Sequence, residues 1–440
     1  MTNSQLTYVA RPGGSVRGDI RVPGDKSISH RSIMLGALAR GVTDVGGFLE
    51  GEDALTTLQA FRDMGVAIEG PRDGRVTVCG VGLHGLKQPG GPLYLGNAGT
   101  AMRLMAGLMA AQGFDVELTG DESLSRRPMG RVVDPLRKMG AEIETAPEGH
   151  PPLRIRGGRS LRGISYTLPM ASAQVKSCLL LAGLYARGQT SITEPGVTRD
   201  HTERMLSGFG YAVVVEGRQI TLEGGGSLTA TTIDIPADIS SAAFFMVAAS
   251  IAPDSDVLLQ HVGVNPTRTG VIDILRLMGA DITLGNEQTV GGEPVADIRV
   301  RSARLKGIEI PRELVPLAID EFPVLFVAAA CAEGKTVLRG AEELRVKESD
   351  RIQSMASGLQ ALGIDASPLP DGIGISGGDM GGATVDSHGD HRIAMAFAVA
   401  ALRASDKIVI RDCGNIATSF PDFVKLANSV GFRLEVIGKT

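Results

Sequence analysis

The 440-residue sequence predicts an α/β protein of two domains, in which buried helices are wrapped by sheet and by surface helices. Three observations predict it. One helix and strand unit recurs six times, the first helix of each unit is apolar on every side, and the chain is longer than one ordinary core. The recurrence is clearest in six short stretches: MGVAIE from Met64, MGAEIE from Met139, FGYAVV from Phe209, MGADIT from Met278, LGIDAS from Leu362 and VGFRLE from Val430. Each is an apolar residue, a glycine and an alternating tail, which reads as a helix stopped by glycine and followed at once by a strand. The spacing of about seventy residues is longer than that of most solenoids.

Upstream of each tail lies an almost wholly apolar helix with a small or polar opening: DKSISHRSIMLGALARG, GNAGTAMRLMAGLMA, MASAQVKSCLLLAGLYARG, PADISSAAFFMVAAS, IDEFPVLFVAAACAEG and GDHRIAMAFAVAALRAS. A helix apolar on all faces must be buried. Strand-like runs follow these helices (TDVGGFL, DVELTG, TSITEP, DVLLQHV, KTVLRG, KIVIRD), and then comes an amphipathic helix, as Ile352, Met355, Leu359 and Leu362 show by their spacing. The unit is thus helix, strand, helix, strand, and six copies suggest two domains of three. Tails and amphipathic helices carry packing residues and little else. The polar openings differ, because a buried helix beginning with Lys, Ser, Arg, Gln or Asp needs water at that end; the openings are expected to face a cleft or surface.

Composition narrows the function. With 43% hydrophobic and 21% charged residues the chain is of soluble globular type. A net charge of -5 and 4% aromatic residues disfavour a nucleic-acid partner. The N-terminus MTNSQLTYVARPGG lacks an apolar signal core, and the longest apolar run, Ala242 to Ala252, is too short to span a bilayer, so no membrane association and a cytoplasmic location are expected. Cys79, Cys178, Cys331 and Cys413 lack CxxC spacing, and His201, His388 and His391 lack metal-ligand spacing, so neither metal nor disulfide is expected.

Cations mark the openings unevenly. VPGDKSISHRSIML, residues 22–35, resembles a nucleotide P-loop at first sight, but Asp25 stands between Gly24 and Lys26 where that motif needs Gly next to Lys. ATP is excluded, while cation and hydroxyls at a helix N-terminus still favour a phosphate or carboxylate. Lys26, Arg31, Arg103, Lys176 and Arg392 lie in openings of first helices; Arg126, Arg127, Arg199, Arg268, Lys347 and Arg351 lie before second helices. The competing reading pairs some with local acids, for instance Lys347 or Arg351 with Glu348 and Asp350 as surface ion pairs of little worth. Asp320 and Glu348 are candidate proton-transfer groups in this basic field, with a helix N-cap as the equal alternative for Asp320.

GDKSISHRS, GNAGTAMR, SRRPMGR, PMASAQVKS, TRDHTE, IDEFP, LRVKESDR and DHRIAM together resemble the 3-phosphoshikimate 1-carboxyvinyltransferase (EPSP synthase) family, of the class II type, from about Gly24 to Phe423 and in the family's order. The resemblance implies an inside-out α/β barrel in two domains, each of three βαβαββ repeats, with the active site in the interdomain cleft. The first strand joins the C-terminal domain, giving 1–21 plus 238–440 as one domain and 22–237 as the other. The implied reaction moves the enolpyruvyl group of phosphoenolpyruvate to the 5-hydroxyl of shikimate 3-phosphate, without metal or cofactor, in a monomer. Shikimate 3-phosphate would meet Lys26, Ser27, Arg31, Ser172, Ala173, Gln174, Arg199, Asp320 and Lys347. Phosphoenolpyruvate would meet Lys26, Gly99, Arg127, Gln174, Arg351 and Arg392. Asp320 would be the base for the 5-hydroxyl, and Glu348 with Lys26 would exchange protons with the methylene carbon. Asp25 is expected to be structural, fixing its turn.

Two departures stand out. Thr418 of ATSFP occupies a place where the family often has lysine, and Gly99 stands where glyphosate-tolerant members tend to have alanine, which implies a sensitive protein. Of the alternatives, UDP-N-acetylglucosamine enolpyruvyl transferases carry a loop cysteine where GDESLSRRPM has Glu122. A non-catalytic repeat scaffold would not need Lys26, Arg127, Asp320, Glu348 and Arg392 together.

Overall fold

The computed structural model describes residues 6–438. They form two compact units: Gly24–Ile235 with Thr289–Glu293, and the described parts of Met1–Pro23, Pro236–Gln288 and Pro294–Thr440.

Each unit has three sheets built on one plan. In the unit of Gly24–Ile235, the strand after a buried helix pairs antiparallel with the second strand of the following hairpin and parallel with a preceding or returning strand. The three sheets run Leu228–Thr229 and Thr232–Asp234, Ala39–Gly46, Arg75–Val81, Ala67–Arg72; Leu93–Tyr94, Val116–Thr119, Leu153–Arg156, Glu142–Glu144; and Ser165–Thr167, Gln189–Thr193, Gln219–Glu223, Val214–Glu216. The other unit repeats the plan with Arg17–Ile20, Asp256–Gly263, Glu293–Arg301, Asp281–Val290, and with Lys335–Leu338, Gly372–Ser376, Asp365–Leu369. Its last sheet is completed differently. Thr7–Ala10 lies between Ile408–Arg411 and Leu434–Ile437, antiparallel to both, with Tyr8 opposite Ile410 on one side and Val436 on the other.

All six expected tails lead into strands, that of FGYAVV only from its last residue, Val214, and the glycine in each has positive φ: Gly65 (85°), Gly140 (104°), Gly210 (78°), Gly279 (94°), Gly363 (87°) and Gly431 (117°). A side chain at that backbone position costs about 1 kcal/mol or more, which is why glycine recurs at the point where helix turns into strand.

The first helices are cores. Ile239–Ile251, Phe322–Ala330 and His391–Ala400 are buried over their whole length, and they pack on one another. In the unit of Gly24–Ile235 the helices Lys26–Leu38, Gly99–Met109 and Ala173–Gly183 are buried except near their N-termini, where Lys26, Ser27, Thr100, Arg103, Ala173 and Gln174 keep some exposure. The later helix Arg351–Ala361 is amphipathic as expected: its Ile352, Met355 and Leu359, and Leu362 at its C-cap, are at most 1% exposed.

Candidate active site

Several of the side chains in question stand at or near the start of a helix. In Lys26–Leu38 the cap is Asp25, whose Oδ1 accepts from the Ile28 amide at 2.9 Å. The residue that excludes a P-loop therefore opens this helix, and one orphan amide is satisfied. Lys26 sits on the first turn with Nζ 3.0 Å from Asp53 Oδ2. Ser172 caps Ala173–Gly183 through the Val175 amide, leaving Ala173 and Gln174 on its first turn. Gln174 is fixed from both sides, accepting from Arg103 at 2.6 Å and donating to Thr100 Oγ1 at 2.9 Å.

Arg31 lies deeper. Its guanidinium donates to the Ser27 carbonyl, Thr202 Oγ1 and Ser177 Oγ at 2.9, 2.7 and 2.9 Å, so Arg31 ties its own helix to Ala173–Gly183 and His201–Gly208. Burial pulls its ordinary value down to about 10, with Glu203 and Asp25 opposing and the charge of Arg199 adding to the fall. An anion close to both Arg31 and Arg199 would offset their mutual repulsion.

Arg127 is buried and hydrogen-bonded to Asn97 and, at 3.3 Å, to Ser123; Asn97 in turn donates to Asp121 at 2.8 Å. Gly99 heads the adjoining helix. A Cβ there would lie 3.0 Å from Arg127 Nη1 and 3.3 Å from Arg103 Nη1, so even one methyl group would push on both guanidinium groups.

In the other unit Arg351 is the centre. It is 1% exposed and faces three carboxylates: Asp390 at 2.8 Å, Glu348 at 2.6 Å and Asp320 at 3.3 Å. Burial alone would lower its basicity, but the charges of Asp390, Glu348 and Asp320 outweigh burial and hold it above the usual arginine value. Lys347 Nζ lies 3.5 Å from Asp320, and Arg392 donates to the Asp320 carbonyl at 3.0 Å. Asp390 caps its own helix through the Arg392 amide and accepts from Ser349.

Several expectations need correction. Arg351 is no surface ion pair: Asp350 caps Arg351–Ala361 and pairs with Arg345, while Arg351 turns inward to Asp390. Asp320 is no N-cap either, since Glu321 holds that position and makes no capping bond. Lys176 and Arg268 do not open to water. Lys176 is 1% exposed between Glu194 and Glu203, and Arg268 is 3% exposed beside Ser240, Asp238 and Glu321. Arg126, at the other extreme, is exposed and paired with Glu122. Thr418 spends its hydroxyl locally on the Asn415 carbonyl.

The residues that sequence reasoning gave no part are the partners of these cations. Asp53 comes from the next helix, with no motif to flag it, and Glu321 stands behind Arg392 at 3.8 Å. Asp390 did carry a signal, an acid immediately before a buried helix.

His30 is a further buried group near Lys26. It is wholly enclosed, with Nδ1 2.7 Å from Thr57 Oγ1, and burial, then the charges of Lys26 and Arg31, lower its value to about 3. The folded state thus refuses a proton that the unfolded chain takes up near pH 6.5, so stability is full above that pH and falls as pH drops towards 3. One proton corresponds to about 1.4 kcal/mol per pH unit in that window. Urea midpoints from pH 7 to 4 are expected to be shallower in pH for His30→Gln by that one proton.

Fold and side chains define the class first: a six-unit α/β enzyme whose cations and carboxylates gather at the ends of buried helices, fit for anionic substrates. A model of the EPSP synthase (3-phosphoshikimate 1-carboxyvinyltransferase) family matches residues 10–426, and the chain belongs to that family. A protein of Methylococcus capsulatus named 3-phosphoshikimate 1-carboxyvinyltransferase is 65% identical over 436 residues, covering 99% of this chain and 100% of that one. One of the same name from Alkalilimnicola ehrlichii is 68% identical over 430 residues, covering 98% and 96%. A solved EPSP synthase of Acinetobacter baumannii is similar at a TM-score of 0.88 and 60% identity, over 98% of this chain and 100% of that chain. No helix of the described residues is long and apolar enough to cross a membrane.

Proposed function

We propose that this chain transfers the enolpyruvyl group of phosphoenolpyruvate to the 5-hydroxyl of shikimate 3-phosphate, releasing phosphate, as a step of aromatic amino acid biosynthesis. Membership of the EPSP synthase family carries this reading. Chemistry supports it as well. Both substrates are polyanions, and two helices begin at this set of residues, one with Lys26 and Ser27 on its first turn and one with Ala173 and Gln174, each N-terminus favouring an anion.

In this reading shikimate 3-phosphate is held by Lys26, Ser27, Arg31, Ser172, Ala173, Gln174, Arg199, Asp320 and Lys347. Phosphoenolpyruvate is held by Lys26, Gly99, Arg127, Gln174, Arg351 and Arg392. Asp320 takes the proton of the 5-hydroxyl as the oxygen adds to C2 of phosphoenolpyruvate, and Glu348 with Lys26 delivers a proton to the methylene carbon. In the second step the methyl group of the tetrahedral adduct returns a proton as the C2 to phosphate bond breaks. With Thr418 in the lysine's place, Arg351 and Arg392 neutralise the departing phosphate. The domains are taken as 22–237 and 1–21 plus 238–440, the protein as a monomer and its location as the cytoplasm.

A coupled phosphate-release assay tests this. Release with shikimate 3-phosphate and phosphoenolpyruvate supports it; no release, or release only with UDP-N-acetylglucosamine, overturns it. Glyphosate is expected to inhibit the native enzyme, and Gly99→Ala to raise the KM for phosphoenolpyruvate about tenfold while weakening inhibition, because its methyl group displaces Arg127 and Arg103. Native activity unchanged at glyphosate levels far above those of phosphoenolpyruvate would contradict the first expectation. An unchanged KM in Gly99→Ala would contradict the second.

A further inference from the structure

Lys176 is a lysine on a helix buried on all sides, one of the most enclosed cations of the molecule. Its Nζ lies 2.7 Å from Glu203, 3.1 Å from Glu194 and 3.5 Å from the Thr198 carbonyl. Thr198 closes the ring by donating to Glu194. Glu194 and Glu203 bracket the segment 194–203, and Arg199 sits within it. The next residue on the helix, Ser177, accepts from Arg31 at 2.9 Å and from Thr202 at 2.7 Å, and Thr202 accepts from Arg31 at 2.7 Å.

Two adjacent positions of one helix therefore hold two other pieces of chain: Lys176 grips the Arg199 segment and Ser177 grips Arg31. Both are fixed relative to Ser172, Ala173 and Gln174, which lie one turn earlier on the same helix. The charges balance, with Lys176 and Arg31 against Glu194 and Glu203. Burial disfavours the charged form of Glu203 and lifts its value, while Lys176 opposes that lift. Such a group is costly to bury, and a buried ion cluster of this kind is more readily explained by a requirement for one arrangement than by stability.

We propose that Lys176, with Glu194 and Glu203, is the positioning group for shikimate 3-phosphate, setting Arg199 and Arg31 at the spacing its anionic groups need. Lys176 touches no substrate; it acts through Arg199 and Arg31. The inference rests on the substrate reading above and deepens it by separating the residues that hold this substrate from those that hold phosphoenolpyruvate.

The test is Lys176→Met, which keeps length and removes charge, with shikimate 3-phosphate binding measured by calorimetry and both KM values from turnover. Weakening of shikimate 3-phosphate binding and its KM by about tenfold or more is expected, with the KM for phosphoenolpyruvate changed less than about threefold. The double variant Lys176→Met, Glu203→Gln restores the charge balance and is expected to recover at least half of the loss on a logarithmic scale. A folded Lys176→Met within about twofold of native for shikimate 3-phosphate overturns the proposal, as does equal weakening for both substrates or no recovery in the double variant. Should Lys176→Met not fold, Glu203→Gln carries the test: a selective rise of about threefold or more supports it and an equal or absent change overturns it. Native protein that binds shikimate 3-phosphate without releasing phosphate would sink the proposed reaction and leave this inference standing. Native protein that does not bind it sinks both.

Discussion

Asp320→Ala and Glu348→Gln are each expected to lower kcat by about 10²- to 10⁴-fold, the range for loss of a positioned proton-transfer group. Asp320 lies on the residue before a helix end, held by Lys347 and Arg351 at 3.5 and 3.3 Å, and its backbone carbonyl anchors Arg392. Two cations fix the direction in which its carboxylate points. Glu348 is held by Arg351 at 2.6 Å on the opposite flank, and glutamine keeps its shape but not its proton chemistry. Steady-state turnover beside calorimetric binding of both substrates decides the matter: either variant that binds both and turns over at near-native rate has lost its assigned role.

Arg351→Met should produce the largest loss of stability, about 3 to 5 kcal/mol, the range for removing one partner from a buried ion pair. Asp390 is fully buried and Glu348 and Asp320 largely so, and all three face this one guanidinium. Asp390 also opens its helix, so its unpaired charge is felt at the start of a core element. A lower urea midpoint at unchanged m is the expected signature. A loss below about 1 kcal/mol would show that the carboxylates find other partners.

The repeat was legible because its punctuation is local. Each glycine with positive φ stands between a helix and a strand within six residues, and each buried helix advertises itself by lacking a polar face. Most ion pairing was not legible, and even the close pair of Arg126 with Glu122 emerges only in the structure. Lys176 read as an open cation because Glu194 and Glu203 lie 18 and 27 residues onward, brought back only by the packing of the next helix. The partners of Arg268 carried no local mark either, its acids being Asp238 and Glu321. Asp320 shows the reverse difficulty. Its local sequence allowed an N-cap, and only the long-range approach of Lys347 and Arg351 assigns its carboxylate elsewhere. Asp53 had no local mark at all, since an acid on an amphipathic helix is usually just solvated.

The strand Thr7–Ala10 gives the chain an order of assembly. It is made before residues 24–235, whereas its two neighbours, Ile408–Arg411 and Leu434–Ile437, are made after them. Residues 24–235 form a nearly self-contained stretch able to fold while synthesis continues. Throughout that time the apolar strand end of Tyr8, Val9 and Ala10 has no sheet to enter, and a nascent chain stalled before residue 408 carries an unpaired strand whose only native mates do not yet exist. Closure of this sheet therefore depends on residues made long after the strand itself, and joins widely separated stretches of the chain in one pairing.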